Sequence, residues 1–77
     1  MTLKIISAED VVFEGEVQSV TLPGTKGSFT VLHNHASLVS TLDPGMIRYI
    51  QDGQTVELPV SGGLVDVDNN VVSVCIY

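Results

Sequence analysis

Turn signals interrupt this chain about every eight residues, and that spacing restricts the folds open to it. Short runs rich in β-branched and other apolar residues lie between the turns, the first at residues 3–6. No window of about eleven residues places apolar side chains at i, i+3, i+4 and i+7, the pattern of an amphipathic helix. The sequence therefore predicts an all-β fold in a single domain over residues 1–77, with about nine or ten strands in a β-sandwich or flattened barrel.

Four of the turns and edges can be assigned by their chemistry. Asp43-Pro44-Gly45 combines a proline that presets φ with a glycine that accepts conformations other residues resist. Asp52-Gly53 is a two-residue hairpin signal, and Asn69-Asn70 closes the last predicted hairpin. Pro59 cannot donate a backbone hydrogen bond, so its strand is expected at a sheet edge or to end there.

One segment does not keep the alternation of a regular strand. Phe13 and Val17 fall on odd positions, whereas Val20 and Leu22 fall on even positions. A strand with a period of two residues cannot bury all four side chains on one face, so we expect a β-bulge near residues 18–19.

The charge balance argues against several classes of partner. Nine acidic and three basic residues give a net charge of -6 and an isoelectric point near 4.3. Nucleic acid and anionic lipid would repel such a surface, whereas a partner with exposed Lys and Arg would be attracted. No leader-like segment precedes the first strand, and no apolar run approaches the roughly 18 residues of a membrane span. We therefore expect a cytosolic protein that does not insert into lipid.

The small size of the chain indicates that it associates with other proteins. A domain this short buries only about 60% of the surface of its unfolded chain. Cys75 is the single cysteine, which excludes an internal disulfide, and we expect it to be buried as a small apolar residue. The hydrophobic fraction of 44% and the mean hydropathy of +0.36 are high for so short a soluble chain. Burial against a partner is the expected further source of stability.

Two pairs of side chains have a spacing that could form a chemical site. His33 and His35 could chelate a metal from one face of a strand, but no third ligand lies nearby. Asn34 between them favours a bend, in which the imidazoles bond to backbone carbonyls or face solvent. Asp66 and Asp68 could act as paired carboxylates, but their alternation with valines favours a solvated strand face. We predict no catalytic, metal or cofactor site, and therefore an interaction module and not an enzyme.

Six fragments in a fixed order resemble one protein family. They are Ile5-Ile6-Ser7-Ala8-Glu9, Phe13-x-Gly15-x-Val17, Leu22-Pro23-Gly24-x-x-Gly27, His35-Ala36-x-Leu38, Pro44-Gly45-Met46-Ile47-Arg48 and Ser61-Gly62-Gly63-Leu64-Val65-Asp66-Val67. Together they resemble the N-terminal β-sandwich of the epsilon subunit of F-type ATP synthase, which is called delta in mitochondria. The resemblance covers nearly the whole chain.

This resemblance implies a ten-stranded flattened sandwich that belongs to the rotor, or central stalk, of a proton-translocating ATP synthase. Such a domain binds the gamma subunit, rests on the polar loops of the membrane c-ring and transmits torque for ATP synthesis without catalysing a reaction. It implies a peripheral position at the cytoplasmic face of the energy-transducing (plasma) membrane, no cofactor and no obligate homo-oligomer.

The resemblance also assigns contact residues. It places Ser28, His33, Asn34 and His35 against the c-ring, and Ser40, Thr41 and Leu42 against the gamma subunit. Three positions depart from the family pattern: His33 and Ser37 replace common prolines, and Ser28 replaces a residue that is often acidic. These departures predict a less rigid bend whose contact with the ring depends less on charge.

Two further expectations follow from the sequence. Family members commonly continue into a C-terminal helical hairpin that inhibits ATP hydrolysis, and this sequence stops at Tyr77, so regulation by that hairpin is absent if this is the native length. The alternative function is a free-standing β-sandwich that binds a carbohydrate or another small ligand. Such sites usually display aromatic rings, and the chain has no Trp, two Tyr and two Phe. The scarcity of aromatic residues favours the rotor interpretation.

Overall fold

The computed structural model describes all 77 residues and contains strands but no helix. It therefore has no helix long and apolar enough to cross a membrane. The strands are β1 (Thr2–Ile6), β2 (Val11–Glu16), β3 (Ser19–Leu22), β4 (Phe29–Val31), β5 (Leu38–Leu42), β6 (Gly45–Gln51), β7 (Gln54–Val60), β8 (Gly63–Asp68) and β9 (Val71–Ile76). The all-β prediction is confirmed, with nine strands instead of ten. Gly24 and Leu42 form only an isolated bridge.

The strands form the two layers of a β-sandwich. One sheet has five strands in the order β2-β1-β9-β8-β5, and the other has four strands in the order β4-β3-β6-β7. All neighbouring strands are antiparallel except β1 and β9, which are parallel. The first and last strands of the chain thus lie side by side within the larger sheet.

Strand alternation builds the core between the sheets. On β8, Val65 and Val67 are buried, whereas Asp66 and Asp68 face solvent, as the sequence predicted. Thirteen buried hydrophobic side chains form one cluster, and no buried polar side chain lacks a hydrogen-bond partner. Burial of each large aliphatic side chain contributes about 1.5–3 kcal/mol, which makes this cluster the main source of stability.

The change in alternation after Val17 marks a change of sheet and not the predicted bulge at residues 18–19. β2 ends at Glu16 in the five-stranded sheet, and β3 begins at Ser19 in the four-stranded sheet. Between them, the amide of Gln18 donates to the carbonyl of Ile50 at 2.7 Å. The crossing lets odd positions of β2 and even positions of β3 face the same core. The register irregularity in this region lies instead between β1 and β2.

Two of the three assigned turns are confirmed by positive φ values, whereas Gly45 of the Asp43-Pro44-Gly45 turn has no positive φ and begins β6. Asp52 and Gly53 have φ values of 52° and 77°, and Asn69 and Asn70 have values of 50° and 63°. Positive φ at both central residues characterises the type I′ hairpin turn, which matches the twist of the flanking strands. Pro59 lies on β7, an edge strand of the smaller sheet, as its missing amide hydrogen predicted.

The last strand corrects the prediction for Cys75. Val72 and Val74 of β9 are buried, so Ser73 and Cys75 point to the outer face, and Cys75 is exposed. Gly63 lies opposite this strand, where a Cβ atom would collide with the carbonyl oxygen of Cys75. Close backbone packing therefore explains the glycine at position 63, and a φ of 145° explains the glycine at position 62.

Candidate interaction surfaces

The two histidines lie in a tight turn that leads from one sheet to the other. Residues 32–37, here called the histidine bend, connect β4 of the smaller sheet with β5 of the larger sheet, and all six are exposed. The amide of His35 donates to the carbonyl of Leu32 at 3.1 Å, and Asn34 has a φ of 59°. A single positive φ at the third position is the geometry of a type II turn, which asparagine tolerates.

Side chains of the β8–β9 hairpin form hydrogen bonds with the histidine bend. The amide of Asn34 donates to Oδ1 of Asn70 at 2.9 Å, and Nδ2 of Asn70 lies 3.2 Å from Nδ1 of His33. At the other end of the bend, the hydroxyl of Ser37 donates to Oδ1 of Asp68 at 2.8 Å. These contacts hold the bend even though it lacks the two prolines common in the family.

Ser28 lies apart from the three other residues that were assigned to the c-ring surface. Ser28 precedes β4, whereas the bend follows β4, so the length of that strand separates them. Three residues at about 3.3 Å each amount to roughly 10 Å. The structure thus brings His33, Asn34 and His35 into one turn and leaves Ser28 at the opposite end of a short strand.

The contacts of the histidines favour hydrogen bonding over metal binding. Nδ1 of His33 lies against Asn70, and Nδ1 of His35 lies 2.7 Å from the carbonyl oxygen of Ala36. No group of three or more His, Cys, Asp or Glu side chains is arranged to hold a metal ion. What the bend offers chemically is a set of exposed polar groups on a fixed backbone.

The residues assigned to the gamma subunit lie on β5, an edge strand of the larger sheet, and face different ways. Thr41 is exposed, and its hydroxyl lies 2.7 Å from that of Thr25. Ser40 is half-buried, and its hydroxyl donates to the carbonyl of Thr41 at 2.9 Å. Leu42 is only 4% exposed and belongs to the core, so its side chain is largely covered in this domain. Alternation along the strand turns Leu42 inward.

The outer face of the larger sheet carries an open apolar groove. It has a volume of about 320 Å³, and we call it the outer groove. Val39 of β5 and Leu64 of β8 line it with 74% and 50% of their surfaces exposed. Lys4 and Asp66 supply its charged groups, and Cys75 lies beside Leu64 across the β8–β9 ladder. Exposed aliphatic side chains in a groove are typical of a surface that packs against another protein.

The residues of the outer groove were not predicted from the sequence. A usable signal existed in Leu64, which shares the solvent-facing parity of Asp66 and Asp68 although it is apolar. Val39 and Cys75 were harder to assign to the outer face, because the face on which each side chain lies depends on the residue at which its strand begins. Only the pairing of β8 between β5 and β9 shows that the three side chains share one surface.

These features define a class of protein: a small β-sandwich domain with a polar bend at one end of a sheet and an apolar groove on its outer face. Residues 1–76 match the family model of the ATP synthase Delta/Epsilon chain, beta-sandwich domain. The chain belongs to this family.

Curated relatives agree with the family match. The ATP synthase epsilon chain of Desulfitobacterium hafniense is 40% identical over 73 residues, which are 95% of this chain and 55% of the relative. The epsilon chain of Nitratiruptor is 42% identical over 71 residues, which are 91% of this chain and 55% of the relative. This chain thus spans about half the length of the curated relatives that it matches.

Solved structures share the fold. A chain in the mitochondrial ATP synthase of Euglena gracilis, solved as the OSCP/F1/c-ring assembly, superimposes with a TM-score of 0.90 at 25% identity. The match covers 96% of this chain and 48% of that chain. A chain in the central stalk and c-ring structure of Tetrahymena thermophila has a TM-score of 0.81 at 14% identity, with 97% and 61% covered. The Tetrahymena match supports the sandwich fold alone.

Proposed function

We propose that this chain is a non-catalytic rotor domain of a proton-translocating ATP synthase, which joins the gamma subunit to the membrane c-ring. In this role the outer groove binds the gamma subunit, and the histidine bend meets the polar loops of the c-ring. The domain then lies at the cytoplasmic face of the energy-transducing membrane as a peripheral part of the complex. Family membership and the likeness to a chain of an F1/c-ring assembly support this role.

The relative position of the two surfaces is the observation that carries the proposal. The histidine bend contacts Asp68 and Asn70, so it lies at the end of the larger sheet where the β8–β9 hairpin turns. The outer groove lies on the face of that sheet, and its exposed valine, Val39, is two residues from the bend. One rigid sheet thus presents a polar end and an apolar face, and two partners can bind at the same time.

The two surfaces differ in polarity, and each matches the partner proposed for it. The outer groove offers Val39 and Leu64 for apolar burial, which is the main favourable term in a stable protein interface. The bend carries no acidic residue, so it can approach polar loops without burying an unpaired carboxylate. The net charge of -6 over the whole chain favours partners with exposed basic groups.

Binding to the gamma subunit tests the groove. The purified chain is expected to form a stable complex with the gamma subunit from the same source at micromolar concentration. Val39→Asp should weaken this complex by at least about tenfold, because a carboxylate would be buried in an apolar interface. Met46→Asp is the matched control, since Met46 is exposed on the other sheet. Absence of a complex with the unmodified chain would refute the proposal, and equal loss in both variants would refute the groove as its site.

Binding to the c-ring tests the bend separately. The complex of the chain with gamma is added to purified c-rings in detergent, and co-sedimentation is measured. Replacement of both His33 and His35 by alanine should reduce co-sedimentation and leave the gamma complex intact. Retention of full c-ring binding by that double variant would remove the bend from the interface, while the gamma result would still stand.

A further inference from the structure

The side-chain amide of Asn70 uses both of its ends on the histidine bend. Its Oδ1 accepts a hydrogen bond from the backbone amide of Asn34, and its Nδ2 contacts Nδ1 of His33. The backbone of Asn70 is itself anchored, because its carbonyl accepts from the amide of Thr2 at 3.1 Å. Asn70 therefore connects the bend to the first strand of the larger sheet.

These contacts determine which nitrogen of His33 carries the proton. A backbone N–H can only donate, so the atom of Asn70 facing Asn34 is the oxygen. The atom facing His33 is then the NH₂ group, which can only donate, and Nδ1 of His33 must accept. A neutral imidazole that accepts at Nδ1 carries its hydrogen on Nε2. His33 thus presents an N–H donor at Nε2.

The same argument gives the opposite result for His35. Its Nδ1 lies 2.7 Å from the carbonyl oxygen of Ala36, which can only accept. Nδ1 of the neutral His35 ring therefore carries the hydrogen, and Nε2 has a free lone pair. Both rings are exposed, and neither Nε2 atom has a hydrogen-bond partner within the chain.

We propose that Asn70 is a positioning residue for the histidine bend, because it fixes the Asn34 backbone and selects the Nε2–H form of His33. The bend then presents one donor at His33 and one acceptor at His35, two residues apart. A complementary partner loop would place a carbonyl or carboxylate opposite His33 and an N–H group opposite His35. The assignment of that partner to the c-ring rests on the function proposed above.

The β8–β9 turn supplies a matched pair of variants. Asn69 and Asn70 both have positive φ, at 50° and 63°, so glycine is tolerated by the backbone at either position. The side chain of Asn70 contacts the bend, whereas that of Asn69 makes no hydrogen bond within the chain. Asn70→Gly removes the contacts, and Asn69→Gly controls for the change in the turn.

The tautomers are measured by long-range ¹H–¹⁵N NMR of the imidazole rings at about pH 8, where an ordinary histidine is neutral. We expect His33 as Nε2–H and His35 as Nδ1–H in the unmodified chain. Asn70→Gly should give His33 a mixture of both forms and raise exchange of the Asn34 amide about tenfold, as for loss of one hydrogen bond. Asn69→Gly should change neither quantity.

Asn70→Asp gives a sharper test, because a purely structural role does not predict its result. The carboxylate still accepts from Asn34, so that amide should stay protected from exchange. It can only accept from His33, so His33 should switch to the Nδ1–H form. An unchanged His33 tautomer in both Asn70→Gly and Asn70→Asp would overturn the proposal.

The partner assignment is tested by c-ring co-sedimentation of the gamma complex. Asn70→Gly should lower binding severalfold, and Asn69→Gly should not. If the unmodified chain fails to bind, the proposed function fails, whereas the NMR result still decides the role of Asn70. If the unmodified chain and Asn70→Gly bind equally although the tautomer changes, the bend's donor and acceptor pair is not used by the ring.

Discussion

The rings of Phe13 and Tyr49 lie with their centroids 4.5 Å apart and their planes tilted by 33°. Phe13 belongs to β2 of the larger sheet, and Tyr49 belongs to β6 of the smaller sheet. The pair therefore joins the two layers of the sandwich beside the segment where the chain crosses between them. Such aromatic pairs contribute about 0.5–1.5 kcal/mol beyond the burial of their surface.

Tyr49 predicts a loss of stability in alkaline solution. Burial raises the pKa of the Tyr49 hydroxyl above the ordinary value of a tyrosine, because it disfavours the charged form. The unfolded state then loses this proton at a lower pH than the folded state, so the contribution of Tyr49 is complete below the unfolded pKa and declines as the pH rises through the folded pKa. Tyr49→Phe should reduce the fall in the free energy of unfolding between about pH 9 and 11, measured by urea titration. An equal fall in both proteins would contradict this.

Leu42 and Val39 lie on the same strand, but we expect truncation to alanine to lower the free energy of unfolding much more at Leu42 than at Val39. Leu42→Ala should lower the free energy of unfolding by about 2–5 kcal/mol, because it leaves a cavity in the core. Val39→Ala should change it by less than about 0.5 kcal/mol, because Val39 is 74% exposed. Chemical denaturation followed by circular dichroism measures both. Similar losses for the two variants would contradict the structure, in which Leu42 faces the core and Val39 faces solvent.

The glycine corner predicts a position that cannot carry a side chain. Gly63→Ala should prevent folding or destabilise the domain by more than about 3 kcal/mol, because the new Cβ would collide with the Cys75 carbonyl in the adjacent strand. Gly15→Ala should cost less than Gly63→Ala, because its Cβ would meet side-chain atoms of Phe13 and Gln51 at 3.1 and 3.2 Å and no backbone atom. Thermal unfolding of the two variants checks the difference. A stable Gly63→Ala protein would refute the close approach.

Cys75 predicts a chemical footprint of the outer groove. Its thiol is exposed, so it should react with a maleimide in the folded chain at a rate similar to that in denaturant, within about tenfold. Binding of the gamma subunit should slow this reaction severalfold, because Cys75 lines the groove proposed as the gamma site. Mass spectrometry of timed samples measures both rates. A rate that gamma leaves unchanged would separate the groove from the interface.

The features that depend on local chemistry could be predicted from the sequence. The type I′ turns at Asp52-Gly53 and Asn69-Asn70 follow from residues that accept positive φ. The position of Pro59 on an edge strand follows from its missing N–H. The exposure of Asp66 and Asp68 follows from the two-residue alternation of side chains along a strand. Each of these properties is decided within a few residues.

The features that depend on distant pairing could not be predicted in the same way. The break in alternation after Val17 was visible, but a bulge and a crossing between sheets leave the same pattern in a sequence. The exposure of Cys75 and the burial of Leu42 depend on which face of each strand meets the opposite sheet. The contact of Asn34 with Asn70 spans 36 residues and carries no local signal.

The parallel pairing of β1 with β9 has a consequence for the way the chain folds. Thr2 lies beside Val71, and Ile5 lies beside Val74, so the centre of the larger sheet closes only when both β1 and β9 are available. During synthesis, β1 cannot pair with its parallel neighbour until β9 has left the ribosome. The β6–β7 hairpin can form earlier. Contacts of such long sequence separation are slow to form, so closure of β1 on β9 is expected to limit the folding rate.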